Sequence, residues 1–150
     1  MEEIMQEHQL SHSFRKLTRL HRGIVTNYLD TYGLYPGQPR LLFTIDAEPG
    51  LTLSHLVPSS DQSKEAICVS IRRLEEAGYI QRRINPLDQR EKFLYLTAKG
   101  KETADIIHAE FHRINDAMFE PLNIEEKEIL AGMFERMTMR LDTFNKERKL

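Results

Sequence analysis

The segment RRINPLDQREKF, residues 82 to 93, concentrates charge around a turn-forming Asn-Pro pair. Arg82, Arg83 and Lys92 are side chains that bind phosphates and add affinity without reading sequence. Arg90 is the residue type that proteins insert into a narrow minor groove, where the negative potential of DNA is strongest. The pattern predicts a nucleic-acid contact. The competing interpretation is an ordinary solvated hairpin with ion pairs worth about 0 to 1 kcal/mol.

A cysteine and three histidines are the other residues with chemical potential. Cys68 is the single cysteine, so it has no internal disulfide partner and is interpreted as a small side chain rather than a redox switch. His108 and His112 are four residues apart, a spacing that suits a metal ion on one face of a helix. His21 lies in an apolar helical stripe. Because no fourth ligand is visible, histidines satisfied in a helical core are favoured, and neither a metal nor a cofactor is expected.

The composition favours a small binding protein over an enzyme. The 150 residues, 40% hydrophobic and 29% charged, are expected to form one domain. The sequence has no Gly-rich phosphate loop, no Gly-x-Ser-x-Gly motif and no paired cysteines, so catalysis is not expected. No apolar run reaches membrane-spanning length, and the acidic start MEEIMQEHQL is unlike a signal peptide. A cytoplasmic protein that does not contact membranes is expected.

Positive charge is concentrated in the middle of the chain. Residues 51 to 100 carry eight Lys and Arg against six Asp and Glu, whereas the fifty residues on either side carry five against six and eight against eleven. This distribution points weakly to a central nucleic-acid contact flanked by acidic helices.

Helical periodicity dominates the first half of the chain. A long amphipathic helix is predicted from Leu10 to Tyr28, and a short second helix within RLLFTIDA. LTLSHLV predicts a third helix with Thr52 as its N-cap and Pro58 as its end. A fourth helix is predicted from about Ser63 to Ala77, stopped by Gly78, with an apolar face of Ile67, Ile71 and Leu74.

The period changes after Gly78. YIQRRI and KFLYLT alternate in polarity and predict two antiparallel strands. Thr97 is expected to cap a long helix that ends near Pro121, and Asn123 with Glu126 predicts a capping box for the last helix. Three helices followed by a hairpin are typical of an α+β, mainly α, winged helix-turn-helix fold, here with long terminal helices.

The segment from Leu51 to Gly100 resembles the MarR family of bacterial winged-helix transcription regulators. The shared motifs are a Leu-Glu-x-x-Gly-Tyr-Ile turn, Asp-x-Arg in the wing and Leu-Thr-x-x-Gly after it. They fall at Leu74, Glu75, Gly78, Tyr79 and Ile80, at Asp88 and Arg90, and at Leu96, Thr97 and Gly100. The resemblance implies that Asp88 holds Arg90 in position. PSSDQ departs from the family pattern, since Ser60 and Gln62 stand where apolar residues are expected.

A helix-turn-helix reads base edges with the start of the helix before the hairpin. Lys64 suits guanine or a phosphate, Glu65 suits a cytosine amine, and an exposed Val69 suits a thymine methyl. The competing interpretation is a solvated helix with one stray valine. The predicted DNA-binding residues are Ser63, Lys64, Glu65, Cys68, Val69, Arg72 and Arg73 on the helix and Arg82, Arg83, Asp88, Arg90 and Lys92 on the hairpin.

We expect a homodimer that binds a pseudo-palindromic operator as a repressor. Residues from about 34 to 98 would form the DNA-binding lobe, and residues 1 to 33 and 99 to 150 the dimerisation lobe. The alternative is a winged-helix protein-interaction module that no longer binds DNA, which PSSDQ makes conceivable. The resemblance also implies a pocket for a small-molecule effector, with His21, His108 and His112 as candidate lining residues. Apolar residues of the terminal helices are expected to pair across the two-fold axis: Leu10, Phe14, Leu17, Met137, Leu141 and Phe144.

Overall fold

The computed structural model describes residues 1–58, 60 and 62–149, which are mainly helical with one two-stranded sheet. This confirms the predicted fold class. The elements, in chain order, are α1 (Glu2–Asp30), α2 (Gln38–Ala47), α3 (Leu53–Leu56), α4 (Lys64–Glu76), β1 (Ile80–Asn85), β2 (Asp88–Leu96), α5 (Ala98–Phe119) and α6 (Ile124–Arg148). Among the described residues, none of the helices has both the length and the hydrophobicity that a bilayer crossing requires.

Two predicted boundaries differ from the structure, and one predicted cap residue makes no capping bond. Helix α1 begins at Glu2 rather than near Leu10, because MEEIMQEHQL consists mostly of helix-forming residues with acids in the first turn. Thr52 is the N-cap residue of α3 but makes no capping bond, and its hydroxyl lies 2.9 Å from Nδ1 of His55. Strand β2 begins at Asp88, so most of the charged segment lies in a strand rather than in a loop.

The chain forms two compact units, Met1–Ala109 and Glu110–Leu150. The first unit holds the hydrophobic core, to which α4 contributes the predicted face of Ile67, Ile71 and Leu74. In the second unit, the capping box of Asn123 and Glu126 that starts α6 is confirmed. Helix α6 has no buried residue among those described.

The hairpin is joined to the chain in front of α3 by backbone hydrogen bonds. Gly50 N–H donates to the carbonyl of Leu94 at 2.8 Å, and Leu94 N–H donates to Leu51 at 3.0 Å. Thr52 forms an isolated bridge with Phe93. The sequence did not indicate this pairing, since two or three residues are too few to show a period. It ties β2 to the helix-turn-helix.

The backbone around Tyr79 joins the hairpin to α5. Thr97 N–H donates to the Tyr79 carbonyl at 3.1 Å. The Thr97 hydroxyl donates to the carbonyl of Gly78 and accepts the N–H of Gly100 at 3.0 Å, which confirms Thr97 as the cap. The Tyr79 hydroxyl donates to the Tyr32 carbonyl at 3.0 Å, and burial raises the pKa of Tyr79, which keeps this donor protonated. In this chain, the threonine and glycine of the Leu-Thr-x-x-Gly motif therefore join the start of α5 to the start of the hairpin.

Position 100 has no room for a side chain, since a Cβ there would overlap the Tyr79 carbonyl. We predict that Gly100→Ala lowers the free energy of unfolding by about 1 to 3 kcal/mol, because α5 must move away from the hairpin. Gly132→Ala in α6 is the control, since a Cβ there meets no atom within 4 Å. It should be neutral or stabilise by about 0.5 to 1 kcal/mol. Equal melting temperatures for the two variants would contradict the packing argument.

Candidate nucleic-acid interface

Helix α4 starts at a fixed point because Ser63 caps it. The Ser63 hydroxyl accepts the N–H of Ala66 at 3.2 Å. The hydroxyl of Ser60 accepts the N–H of Gln62 at 3.1 Å, so these two polar residues are bonded to each other in front of the cap. Ser59 and Asp61, the other residues of PSSDQ after Pro58, lie outside the described residues. The departure from the family pattern leads into a capped helix with an exposed first turn.

The polar side of α4 is largely as predicted. Lys64, Glu65, Cys68 and Arg72 are exposed. Val69 is half-buried, and the expectation of an exposed valine is therefore wrong. A short branched side chain on a helix is partly screened by longer side chains one turn away on the same face.

Two arginines stack on tyrosine rings. The guanidinium carbon of Arg83 lies 4.3 Å from the centre of the Tyr95 ring. Arg83 is paired in register with Phe93, so Tyr95 is its diagonal neighbour on the same side of the sheet. Arg73 on α4 lies 5.2 Å from the ring centre of Tyr35, in the loop after α1. Stacking orients a guanidinium through its face and leaves its N–H edge for a phosphate.

Arg82 is held by a carboxylate of α4. Its Nε and Nη2 donate to the two oxygens of Glu75 at 2.8 and 3.1 Å. This bond lowers the pKa of Glu75 and raises the pKa of Arg82, so both groups are ionised. Lys92 also lowers the pKa of Glu75 through its charge. Glu75 was not predicted as a site residue, because seven residues and a change of element separate it from Arg82.

Side-chain hydrogen bonds order the tip of the hairpin. Asn85 accepts the N–H of Leu87 at 2.9 Å through Oδ1 and donates to Glu91 at 2.8 Å through Nδ2. Asp88 accepts the backbone N–H of Arg90 at 3.0 Å. The family resemblance implied that Asp88 holds Arg90 in position, and the contact in the structure is to the backbone of Arg90. Both residues are exposed, and so is Lys92.

The three histidines were predicted as candidate lining residues of one effector pocket, and His108 lines a cleft in the first compact unit. His108 packs edge-on against Phe43, with ring centres 5.2 Å apart. A cleft of about 340 Å³ is lined by Phe43, Asp46, Ala47, Ala104, Asp105 and His108. His21 is half-buried on α1 and is not part of that lining, and His112 lies in the unit that starts at Glu110.

Two acids of the cleft are bridged by a lysine. Lys101 donates to Asp46 at 2.9 Å and to Asp105 at 3.0 Å, and these bonds raise the pKa of Lys101. Within the described ranges, no group of three or more His, Cys, Asp or Glu is arranged to hold a metal ion.

Both terminal helices expose apolar stripes. On α1 the exposed stripe contains Leu10, Phe14, Leu17 and Ile24, and on α6 it contains Met133, Phe134, Met137, Leu141 and Phe144. Apart from the adjacent Met133 and Phe134, successive residues in each stripe are three, four or seven positions apart, so each stripe follows one side of its helix.

The chain is similar to transcription regulators of known sequence and structure. A family model described as MarR family matches residues 34–92, which run from α2 into the wing. The transcriptional regulator BilQ of Clostridium symbiosum is 28% identical over 109 residues, 73% of this chain and 76% of BilQ. A crystal structure of MarR matches with a TM-score of 0.70 and 27% identity, covering 92% of this chain and 94% of that chain. A mutant MarR from E. coli, solved in complex with operator DNA, matches with a TM-score of 0.72 over 86% and 93% of the two chains. At 18% identity, this last match shows the fold alone.

Substitutions of Asp88 test the hydrogen bond that its carboxylate accepts from the Arg90 backbone. Asp88→Asn keeps an acceptor oxygen, whereas Asp88→Ala removes it. On a DNA duplex selected by the wild-type protein, we expect Asp88→Ala to lose about 0.5 to 1.5 kcal/mol of binding free energy. Asp88→Asn should bind at least as well as wild type, because it also removes a negative charge. Fluorescence anisotropy at fixed salt measures this. An equal loss in the two variants would mean that the charge of Asp88 matters and the acceptor does not.

Proposed function

Because the chain belongs to the MarR family of winged helix-turn-helix transcription regulators, we propose that it is a repressor that binds a pseudo-palindromic operator as a homodimer. A two-fold symmetric protein presents two copies of its recognition helix, about one turn of DNA apart, and so matches two inverted half-sites. Occupying the operator is sufficient for repression, and the proposal assigns no catalytic step to the chain.

The exposed first half of α4 beside a basic wing is the observation that carries this proposal. In it, Lys64, Glu65 and Val69 read base edges in the major groove, where a half-buried valine still presents a methyl surface. The neighbouring Cys68 packs against the groove. Ser63 fixes where the helix begins, and the remaining helix contacts come from Arg72 and Arg73.

The wing supplies phosphate and minor-groove contacts. Arg90 enters the minor groove, and Asp88 sets the backbone from which it extends. Arg83 and Lys92 bind phosphates, as does Arg82 through Nη1, the guanidinium nitrogen not used by Glu75. The winged-helix lobe, residues 34 to 98, therefore holds the DNA surface in this proposal.

The terminal helices form the dimerisation lobe, residues 1 to 33 and 99 to 150. Their exposed stripes support this role, because apolar area of this extent is normally covered in a stable protein. The proposal also includes release from DNA by a small-molecule effector. The cleft beside His108 is its candidate site, with one aromatic ring and two acids in its lining.

Arg90 tests the DNA contact. We predict that Arg90→Ala loses about 1 to 3 kcal/mol of binding free energy for an operator duplex, with a shallower dependence on salt. Its melting temperature should match wild type, since Arg90 is exposed. Arg19→Ala is the control, because Arg19 is an exposed cation on the side of α1 opposite the apolar stripe. Binding is measured by fluorescence anisotropy titrations with a duplex taken from the promoter beside the protein's own gene. If wild type shows no sequence preference on such promoters, the protein-interaction module becomes the better description.

The α6 stripe tests the dimer. We predict that Met137→Glu gives a monomer in light scattering at micromolar concentration, because it places a charge in the proposed interface. Met139→Glu is matched in residue type and in exposure, 65% against 57% for Met137, but lies on the opposite side of α6. It should remain a dimer. A stable wild-type monomer under these conditions would contradict the proposed assembly.

A further inference from the structure

One ion pair joins the two elements that form the proposed DNA surface. Glu75 lies in the last turn of α4 and Arg82 in β1, and two hydrogen bonds of 2.8 and 3.1 Å connect them. A bidentate pair of this kind fixes the plane of the guanidinium relative to the carboxylate. The pair therefore adds a side-chain link between the wing and α4, beside the backbone hydrogen bonds that hold the hairpin.

The position of Arg82 in the sheet makes this partner important. Its register partner is Leu94, and Ile80 precedes it by two residues on the same side of the strand. Both neighbours are buried. Arg82 itself is exposed, with 31% of its side-chain surface accessible. It therefore loses only part of its hydration, and the paired carboxylate offsets that loss. Helix α4 supplies the carboxylate of Glu75 and β1 supplies the guanidinium of Arg82.

The charge of Glu75 opposes DNA binding. Glu75 is a carboxylate on the helix that enters the major groove, and at physiological salt its repulsion acts over roughly 8 Å. If it contributed charge alone, a neutral residue at position 75 would bind DNA more tightly. Glu76, the next residue, is an exposed carboxylate on the same helix and provides the comparison.

We propose that Glu75 is a positioning residue for DNA recognition, holding the wing through Arg82 so that Arg90 and the side chains of α4 reach one half-site together. A surface ordered before binding loses less conformational freedom when the complex forms. The benefit of this ordering exceeds the repulsion from the carboxylate. The inference rests on the proposed function, because it concerns how the same surface binds its operator.

The test compares Glu75→Gln with Glu76→Gln, since each substitution removes one negative charge at nearly constant volume. Anisotropy titrations on one operator duplex at fixed salt should show Glu75→Gln weakened by about three- to tenfold. Glu76→Gln should bind as tightly as wild type or more tightly. The side chains of the pair are 38% and 31% exposed, so the melting temperature should change little.

A variant in which the two charges are exchanged distinguishes a positioning role of Glu75 from a general loss of folding. Glu75→Arg combined with Arg82→Glu restores a pair between the two elements at unchanged net charge. It should bind better than Arg82→Glu alone, in which two acids face each other without a partner. An exchange variant no better than the weaker single variant would overturn the inference, and so would Glu75→Gln binding as tightly as wild type or losing no more than Glu76→Gln. If wild type itself shows no sequence-specific binding, the proposed function fails together with this inference. If wild type binds its operator specifically and Glu75→Gln binds equally well, the inference is refuted and the proposed function stands.

Discussion

The backbone at Tyr79 is the constraint on which the DNA-facing half of the molecule depends. The Tyr79 carbonyl accepts from Thr97, the Tyr79 hydroxyl donates to the Tyr32 carbonyl just after α1, and Gly100 of α5 approaches the Tyr79 carbonyl without a side chain. Gly78, with a φ of 84°, turns the chain from α4 into β1 just before it. The ends of α1 and α4 and the starts of β1 and α5 therefore lie around one residue. Since the Thr97 and Gly100 contacts both involve the Tyr79 backbone, the arrangement tolerates little change in geometry.

The wing gains its order from this anchor and from a second one. The backbone bonds between Leu94 and the chain before α3 hold the other strand against the helix-turn-helix. With both strands tied down, the basic side chains project from a fixed frame. Arg83 is oriented by a tyrosine ring and Arg82 by a carboxylate, while the backbone at Arg90 is set by Asp88. The chain has a net charge of -2, so in the proposed function it is this local placement of cations that attracts DNA.

The second compact unit has a different physical character. Its last helix has no buried residue among those described, yet carries a continuous apolar stripe. A helix of this kind gains little stability within its own chain and is normally stabilised by packing against another surface. In the proposed homodimer, folding of this helix and assembly are therefore coupled. Such coupling would make the spacing between the two recognition helices depend on helices far from the DNA along the chain.

Local patterns in the sequence determined most of the elements. The stripe of Ile67, Ile71 and Leu74, the caps at Thr97 and Asn123 and the stop at Gly78 each involve residues within a few positions of one another, so their signal is readable without a fold. The order of elements, and with it the winged-helix class, followed from these signals and from the motifs of the resemblance. The exposed positions on α4 followed from the same periodicity, with Val69 as the exception.

Only the tertiary structure decided which side chains hold one another. The pairing of Glu75 with Arg82 depends on how β1 leaves α4, and the stacking of Arg83 on Tyr95 depends on strand register. The pairing of Gly50 and Leu51 with Leu94 and the close approach of Gly100 to Tyr79 join segments more than twenty residues apart. Tertiary packing also decided that His108 contacts Phe43 of α2. The cleft beside these two rings does not include His21 in its lining. Periodicity specifies which side of an element faces inward, whereas the partner on that side is set by packing in three dimensions, which no local pattern encodes.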